Sequence, residues 1–384
     1  MKKSLVALAA FAAVGAFAQS SVTLSGNIKG GVAHTKYSNG GIGTVNGNSM
    51  SVADGSSRFI IGGTEDLGGG LRAIFQIDTR VRVDDNGGAP TNSPLAGGNT
   101  FVGLRSGMGT LQLGKLDTHY CLGADQHGSR STALQASSCA LLGFVNGSTA
   151  ATAIANTSRS VNIIRYTTPM FSGFQGQVNY STNFQGPEGA PGDASKGRAM
   201  QAGLNYANGP LKTGVSFWDA KSENRSVGAV RGDQQAATAF IDWNFGMATV
   251  GLTYDQSELE GNSGVPGAAT TELKRRAWSI PVTVPLGAGT FLLTYTKARD
   301  LRASGFGTPA LDAAQSANTG ATLWSVGYDY ALSKRTSMGV SYARLNNNAN
   351  ANYALYTQAA LNGTPANARG QDASQLYFGV RHAF

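Results

Sequence analysis

The amino-acid sequence predicts an all-β protein, a transmembrane antiparallel β-barrel of 16 strands with long external loops. Apolar and polar residues alternate along most of the chain, as in strands that have one apolar and one solvated face. Seven short turns and eight long polar loops alternate strictly, which is the plan of an outer-membrane barrel. After the N-terminal segment, no apolar run reaches the length of about 18 residues that predicts a membrane helix.

Residues 1–18 have the pattern of a secretory signal peptide. Lys2 and Lys3 precede the apolar segment Leu5–Phe17, and Ala16-Phe17-Ala18 has the A-x-A form of a cleavage site. An uncleaved membrane helix is the alternative, but the segment is short for that role. We therefore expect residues 19–384 to form a single exported barrel domain. Loss of the two lysines lowers the net charge from +8 to +6.

The clearest predicted strand is Leu71–Val83, in which Phe75 and Ile77 share one parity while Arg72 and Asp78 share the other. Such a strand presents its apolar side chains to one environment and its polar side chains to another. The other segments with this alternation are Ser21–Lys36, Phe174–Tyr180, Leu211–Trp218, Val250–Tyr254, Trp278–Val284, Phe291–Tyr295 and Val326–Tyr330.

The connections between these strands fall into two classes. The predicted short turns are Leu67–Gly70, Gly107–Gly109, Pro169–Gly173, Ala207–Pro210, Phe245–Met247, Leu286–Ala288 and Leu332–Arg335. The predicted long loops are Tyr37–Ser56, Asp84–Gly98, Asp117–Ser158, Ser181–Gly197, Ala220–Gln234, Gln256–Glu272, Arg299–Gly320 and Asn346–Asp372. In an outer-membrane barrel the short turns are periplasmic and the long loops are external.

A membrane location explains why the strands must close. In hydrocarbon every backbone polar group needs a partner, so only a closed barrel leaves no unpaired edge. A soluble β-sandwich would also alternate, but it would not normally need this strict order of turns and loops. Aromatic residues near the short turns suit a membrane interface, although strands favour aromatics in any case. These residues are Tyr206, Trp243, Phe245, Tyr328 and Tyr330.

The alternation stops in the third loop, residues 117–158, and a loop of this length is usually functional or disordered. The hypothesis is that this loop folds into the barrel and narrows its channel. It contains both cysteines, Cys121 and Cys139. In an oxidising compartment these two residues are candidates for a disulfide that stabilises by about 3 kcal/mol in chain-entropy models. Two free or buried thiols are the alternative.

Several segments together resemble the trimeric general porins of Gram-negative bacteria. They are Ser21–Gly26, Ser57–Thr64, Glu65–Gly70, Phe101–Leu104, Gly109–Lys115, Ile164–Tyr166, Tyr328–Thr336 and Phe378–Phe384. The resemblance implies a homotrimer of 16-stranded barrels, passive diffusion of small hydrophilic solutes, and an inward-folded third loop. It further implies that Asp84–Gly98 latches onto a neighbouring subunit and that the barrel-assembly machinery reads Phe384. The third loop departs from many relatives because it lacks a Pro-Glu-Phe-Gly segment.

Arginines are the candidate selectivity residues. Reflection of the predicted hairpin about a turn near Gly69 places Arg58 opposite Arg80, and two like charges in that position are unfavourable without water or a functional field. In the family resemblance, Arg58 and Arg159 match positions that can carry a basic cluster in the lumen, and Arg165 shares the parity of Arg159.

Acidic residues are expected to oppose these arginines at the constriction, and further charged residues have the lumen-facing parity. The acidic residues are Asp78, Asp117 and Asp125, and the further candidates are Arg72, Arg82 and Lys29. For Arg72 and Arg82 the alternative is a solvated position near the rim. Because rings of Arg or Lys favour anions, we expect a modest anion preference.

Other function classes have weaker support. His119, Ser129 or Ser131, and Asp117 or Asp125 are the residue types of a hydrolase triad, but no motif places them together. No spacing predicts a metal site, no cofactor is implied, and the scattered basic residues argue against nucleic acid. The leading prediction is a passive channel in the outer membrane of a Gram-negative bacterium and not an enzyme. The alternatives are an outer-membrane barrel hydrolase and an adhesin-like barrel.

Overall fold

The computed structural model describes residues 20–40, 46–84, 95–118, 127–142, 144–146, 151–153, 159–184, 197–222, 231–262, 270–356 and 368–384. The proposed signal peptide and most of the proposed subunit latch lie outside these residues, as do His119, Cys121 and Asp125. Among the described residues, none of the helices has the length and apolar character needed to cross a membrane.

Strands make up most of the described chain. In chain order they are β1 Ser21–Ser38, β2 Gly47–Asp54, β3 Arg58–Gly68, β4 Leu71–Arg80, β5 Thr100–Ser106, β6 Gly109–Asp117, β7 Phe144–Asn146, β8 Ala151–Ala153, β9 Arg159–Thr167, β10 Phe174–Ser181, β11 Gly197–Asn208, β12 Leu211–Ser222, β13 Arg231–Asn244, β14 Thr249–Asn262, β15 Thr271–Leu286, β16 Gly289–Ala298, β17 Arg302–Ser304, β18 Ala321–Ala331, β19 Thr336–Asn347 and β20 Asp372–Ala383. The 3₁₀ turns are Leu134–Ala136 and Ser138–Ala140, and helix α1 is Pro309–Ser316.

The strands close into a 16-stranded antiparallel barrel, as predicted. β1 pairs with β20 from Asn27 opposite Ala383 to Ser38 opposite Asp372, and this pairing completes the ring. β2 and β3 together occupy one position of the ring, and β16 and β17 occupy another. The order around the ring is β1, β2/β3, β4, β5, β6, β9, β10, β11, β12, β13, β14, β15, β16/β17, β18, β19 and β20. The hairpin β7–β8 pairs separately, within the predicted constriction loop.

The hairpin of β3 and β4 has the predicted register. Its turn contains Gly68, Gly69 and Gly70, all at positive φ of 84°, 61° and 80°, a conformation that glycine adopts without a steric penalty. A turn that is fixed locally also fixes the pairs further along the hairpin. The prediction that Arg58 lies opposite Arg80 is therefore confirmed.

A short break separates β2 from β3 and shapes the inner wall. The Gly55 backbone N–H donates to the carbonyl oxygen of Lys29 at 2.9 Å. A Cβ atom on Gly55 would lie 2.3 Å from Cγ of Lys29, so a larger residue would displace the lysine side chain. The next residue, Ser56, has φ of 79° and directs its hydroxyl to the guanidinium of Arg80, which donates from Nη1 at 2.8 Å.

Several predicted loops are shorter than expected because strand pairing continues into them. β2 lies within the predicted loop Tyr37–Ser56, while β14 and β15 extend into Gln256–Glu272. These ends are polar, so the apolar alternation stops before the backbone pairing does. The predicted loop Arg299–Gly320 contains β17 and α1, and the Thr308 hydroxyl caps the helix by accepting from the Leu311 N–H at 3.3 Å.

Candidate channel constriction

The loop between β6 and β9 crosses the barrel. β6 and β9 are neighbours, so the loop leaves and re-enters the wall at one place, and the opposite side of the ring is formed by β16 and β18. The described part of the loop contacts that opposite side. The Ser131 N–H donates to Oδ1 of Asp329 on β18 at 3.0 Å, and the Ala133 N–H donates to Oγ of Ser341 on β19 at 2.9 Å. The predicted inward-folded loop is confirmed.

Asp329 is the centre of this attachment. One of its oxygens, Oδ1, accepts from the backbone N–H and from the hydroxyl of Ser131. The other, Oδ2, lies 3.5 Å from Nη1 of Arg130. Hydrogen bonds to a charged group contribute about 1.5–3 kcal/mol each, so this carboxylate is a strong anchor for the first described turn of the loop.

A second attachment joins the loop to β1. The ammonium of Lys29 is fully buried and donates to the carbonyl oxygen of His127 at 3.0 Å. The His127 ring lies against the Thr132 hydroxyl (Nδ1 to Oγ1, 2.9 Å) and the Ser325 hydroxyl (Nε2 to Oγ, 3.3 Å). Burial, with the positive charges of Lys29 and Arg130 nearby, lowers the pKa of His127 to about 3. The imidazole is therefore neutral at ordinary pH and lies as a hydrogen-bonding group between the hydroxyls of Thr132 and Ser325.

Apolar packing completes the docking. Leu134, Cys139 and Leu141 belong to the same buried cluster as Leu323 and Leu345 on the inner wall. The segment 351–356, in the last long loop, joins this cluster through four buried side chains. They are Ala351, Tyr353, Leu355 and Tyr356. The constriction loop is thus fixed by both polar anchors and an apolar contact.

The structure describes only one of the two cysteines of the predicted disulfide. This residue, Cys139, is fully buried and its sulfur is disulfide-bonded. Its proposed partner Cys121 lies outside the described residues, so the Cys121–Cys139 disulfide stays a prediction. We expect non-reducing peptide mass mapping of freshly isolated protein to recover the two cysteine peptides as one linked species. Recovery of both thiols in alkylated form without a reducing step would contradict the prediction.

The predicted arginines lie on the other wall, at β3, β4 and β9. Arg58 and Arg80 face each other across the hairpin, and Asp78 lies between them. Oδ2 of Asp78 is 3.0 Å from Nη2 of Arg80 and 3.7 Å from Nη1 of Arg58. The carboxylate thus offsets the repulsion that the sequence predicted for this pair. The Arg58 side chain remains about 30% exposed, whereas that of Arg80 is only 9% exposed.

A second basic pair surrounds Asp117 at the base of the loop. Arg159 lies directly opposite Asp117 in the register of β6 and β9, with Nε 2.8 Å from Oδ1. This contact is an ion pair without good hydrogen-bond alignment. Arg165 donates to Oδ1 of Asn179 at 2.9 Å and to the carbonyl oxygen of Asp117. These four arginines and two aspartates sum to a charge of +2, and Lys115 on β6, which interacts electrostatically with the same cluster, adds a further positive charge to this wall.

The remaining predicted charges occupy other positions. Arg72 lies beside the short turn, opposite Asp66 and Arg105. Arg82 lies beyond the end of β4, 46% exposed and 3.2 Å from Asp84. Lys29 has the inward parity but is covered by the constriction loop, so it anchors that loop and does not line open space.

Two ion pairs within the described part of the barrel were not predicted from the sequence. Arg130 and Asp329 are separated by almost 200 positions, and no local pattern joins them. Arg275 and Asp255, on β15 and β14, form a fully buried pair at 2.8 Å, in which Asp255 also accepts from the Thr238 hydroxyl at 3.1 Å. The inward parity of both residues was the available signal. Asp255 lies opposite Ala277 and Arg275 lies opposite Ser257, so the two charges are diagonal neighbours within reach of a long side chain.

The residue types of a hydrolase triad do not assemble among the described residues. The Ser131 hydroxyl bonds to Asp329, while the His127 ring bonds to Thr132 and Ser325. Asp117 is paired with Arg159 on the other wall. No serine–histidine–aspartate relay of the kind that defines such an enzyme is formed by these groups.

Comparison with known proteins gives a consistent result. A model of the Gram-negative porin family matches residues 4–351. The chain is 29% identical to outer membrane porin protein 32 of Delftia acidovorans over 399 residues, which covers all of both chains. It is 27% identical to an outer membrane porin protein of Bordetella pertussis, covering 90% of this chain and 94% of the relative.

Solved structures agree with this match. The anion-selective porin from Comamonas acidovorans superposes with a TM-score of 0.73 at 25% identity, covering 95% of this chain and all of that chain. The outer membrane protein OmpT of Vibrio cholerae superposes with a TM-score of 0.64 at 12% identity, covering 95% of this chain and 98% of that chain, a likeness that concerns the fold alone.

Proposed function

Because this chain belongs to the Gram-negative porin family and forms a 16-stranded outer-membrane barrel, we propose that its passive channel has a modest preference for anions. Small hydrophilic solutes and ions diffuse through it without catalysis. The family and the fold indicate a channel and give the hydrolase alternative no support. We further propose that the channel assembles as a homotrimer.

The basic wall carries the proposal for ion preference. Arg58, Arg80, Arg159 and Arg165 line β3, β4 and β9, whereas the constriction loop docks on β18 and β19 at the far side. An ion that passes between the loop and this wall meets a net positive charge. A channel lined by one sign of charge concentrates ions of the other sign, since low-dielectric walls focus the field. A relative with a similar fold is itself described as anion-selective.

Planar-bilayer recording tests the proposal. We expect ohmic conductance steps, grouped in threes if the trimer is correct, and a reversal potential of anion sign in a KCl gradient. The preference should shrink as salt rises, because the screening length falls from about 10 Å at 0.1 M to about 3 Å at 1 M. A clearly cation-selective wild type would overturn the ion preference, and the absence of conductance would overturn the channel itself.

A further inference from the structure

The outer surface of β9–β14 carries a groove of about 620 Å³. Two rows of outward side chains, paired strand by strand, form its sides. One row is Tyr166, Val178, Ala202, Phe217, Ala237 and Gln256, and the other is Thr168, Gly176, Leu204, Val215, Ala239 and Tyr254. The residues between the rows point inward, so backbone forms the floor. The volume lies within the range of about 300–1,000 Å³ that is typical of small-molecule sites.

Small residues create the groove. Gly176, Ala202, Ala237 and Ala239 stand between large exposed side chains such as that of Phe217. On the opposite side of the barrel, the described strands β18, β19 and β20 carry large outward residues at the matching positions. There the two rows are Val326, Tyr342 and Leu376, and Tyr328, Val340 and Phe378.

The position of the groove identifies the membrane leaflet. Tyr166 is the next-to-last residue of β9, beside a short turn, whereas Gln256 is the eighth residue of β14 and so lies well above its turn. Seven residues at about 3.4 Å each, on strands tilted by roughly 40°, correspond to a height of about 18 Å along the membrane normal. Half of the ~30 Å hydrocarbon core is about 15 Å. Because the short turns are periplasmic, the groove runs from the periplasmic rim to the middle of the membrane.

We propose that this groove binds one acyl chain of a glycerophospholipid from the periplasmic leaflet. The groove crosses six strands, and five spacings of about 4.8 Å give a length of about 24 Å. An apolar groove of this length, which extends across one leaflet of the membrane, fits a single extended acyl chain. A second copy of this chain is the other possible occupant. The proposed subunit latch lies between β4 and β5, on a different part of the ring from the groove. This separation from the proposed subunit contact favours lipid as the occupant.

The test is native mass spectrometry of the full barrel in a mild detergent with palmitoyl-oleoyl phosphatidylethanolamine. One lipid should be retained per wild-type barrel. The double variant Ala202→Phe/Ala239→Phe places a large side chain in each row, and it should reduce the retained fraction at least fivefold. The matched control, Val326→Phe/Val340→Phe on the opposite side, should remain within twofold of wild type. Heat-modifiability verifies folding, and Ala202→Leu/Ala239→Leu replaces the phenylalanine variant if that variant does not fold.

The proposal is overturned if the wild type retains no lipid, or if the groove variant retains as much lipid as the wild type. If the groove variant retains lipid unchanged but loses subunit assembly, the groove is identified as a protein contact. A parallel titration with lipopolysaccharide identifies the lipid source. Preferential retention of lipopolysaccharide would place the occupant in the external leaflet and contradict the assignment.

Discussion

Replacement of Arg58 and Arg159 by glutamine should move the reversal potential in a KCl gradient toward cation preference. The two substitutions remove two of the four arginine charges on the basic wall and leave Asp78 and Asp117 with one fewer positive partner each. A unit charge about 7 Å from an ion contributes about 0.6 kcal/mol in water. Each charge therefore changes the local concentration of anions and of cations by a factor of about 2–3 in opposite senses.

We expect the anion-to-cation permeability ratio to fall at least threefold at 0.1 M salt, with a much smaller change at 1 M. Arg302→Gln/Arg344→Gln is the matched control, because it removes the same charge from exposed positions in β17 and β19 at the external end. That control should leave the reversal potential within the scatter of the wild type. An unchanged potential in the Arg58/Arg159 variant would show that these arginines do not set the field.

The barrel and its basic hairpin were predictable because their determinants are local. Alternation has a period of two, so the parity of each side chain follows directly from the sequence. The glycine turn between β3 and β4 then sets the register, and Arg58 falls opposite Arg80 by counting from Gly69. The break before Arg58 was not predictable, because it depends on how Gly55 packs on Lys29.

The docking of the constriction loop could not be derived in the same way. Its anchors join residues that are far apart in the chain, such as Ser131 with Asp329 and Lys29 with His127. Neither pair leaves a periodic signal. The sequence indicated that the loop folds inward, but the choice of β18 and β19 as its docking wall depends on complementary polar groups and on the apolar contact around Leu323. Tertiary contacts decide that choice.

Deletion of Phe384 should lower the amount of inserted, heat-modifiable barrel several-fold. Phe384 follows β20 and forms two backbone hydrogen bonds with Gly26. The Gly26 N–H donates to the Phe384 oxygen at 3.1 Å, and the Phe384 N–H donates to the Gly26 oxygen at 3.2 Å. Its ring lies 5.6 Å from that of Phe59. These contacts hold the seam between the first and last strands at the end of β20, where Gly26 of β1 lies between Phe384 and Phe59 of β3.

Two variants separate the contributions of the Phe384 backbone and ring. Phe384→Tyr keeps both and should assemble like the wild type, whereas Phe384→Ala keeps the backbone pairing and loses the ring. Refolding into detergent without the assembly machinery separates seam stability from recognition. If the alanine variant refolds normally in detergent but inserts poorly in cells, recognition by the machinery is the main role of the ring. Equal defects in both settings would assign the effect to the seam, because aromatic pairs contribute about 0.5–1.5 kcal/mol beyond their buried area. Wild-type levels of heat-modifiable trimer after deletion would contradict both explanations, since a barrel that closes without Phe384 needs neither its hydrogen bonds nor its ring.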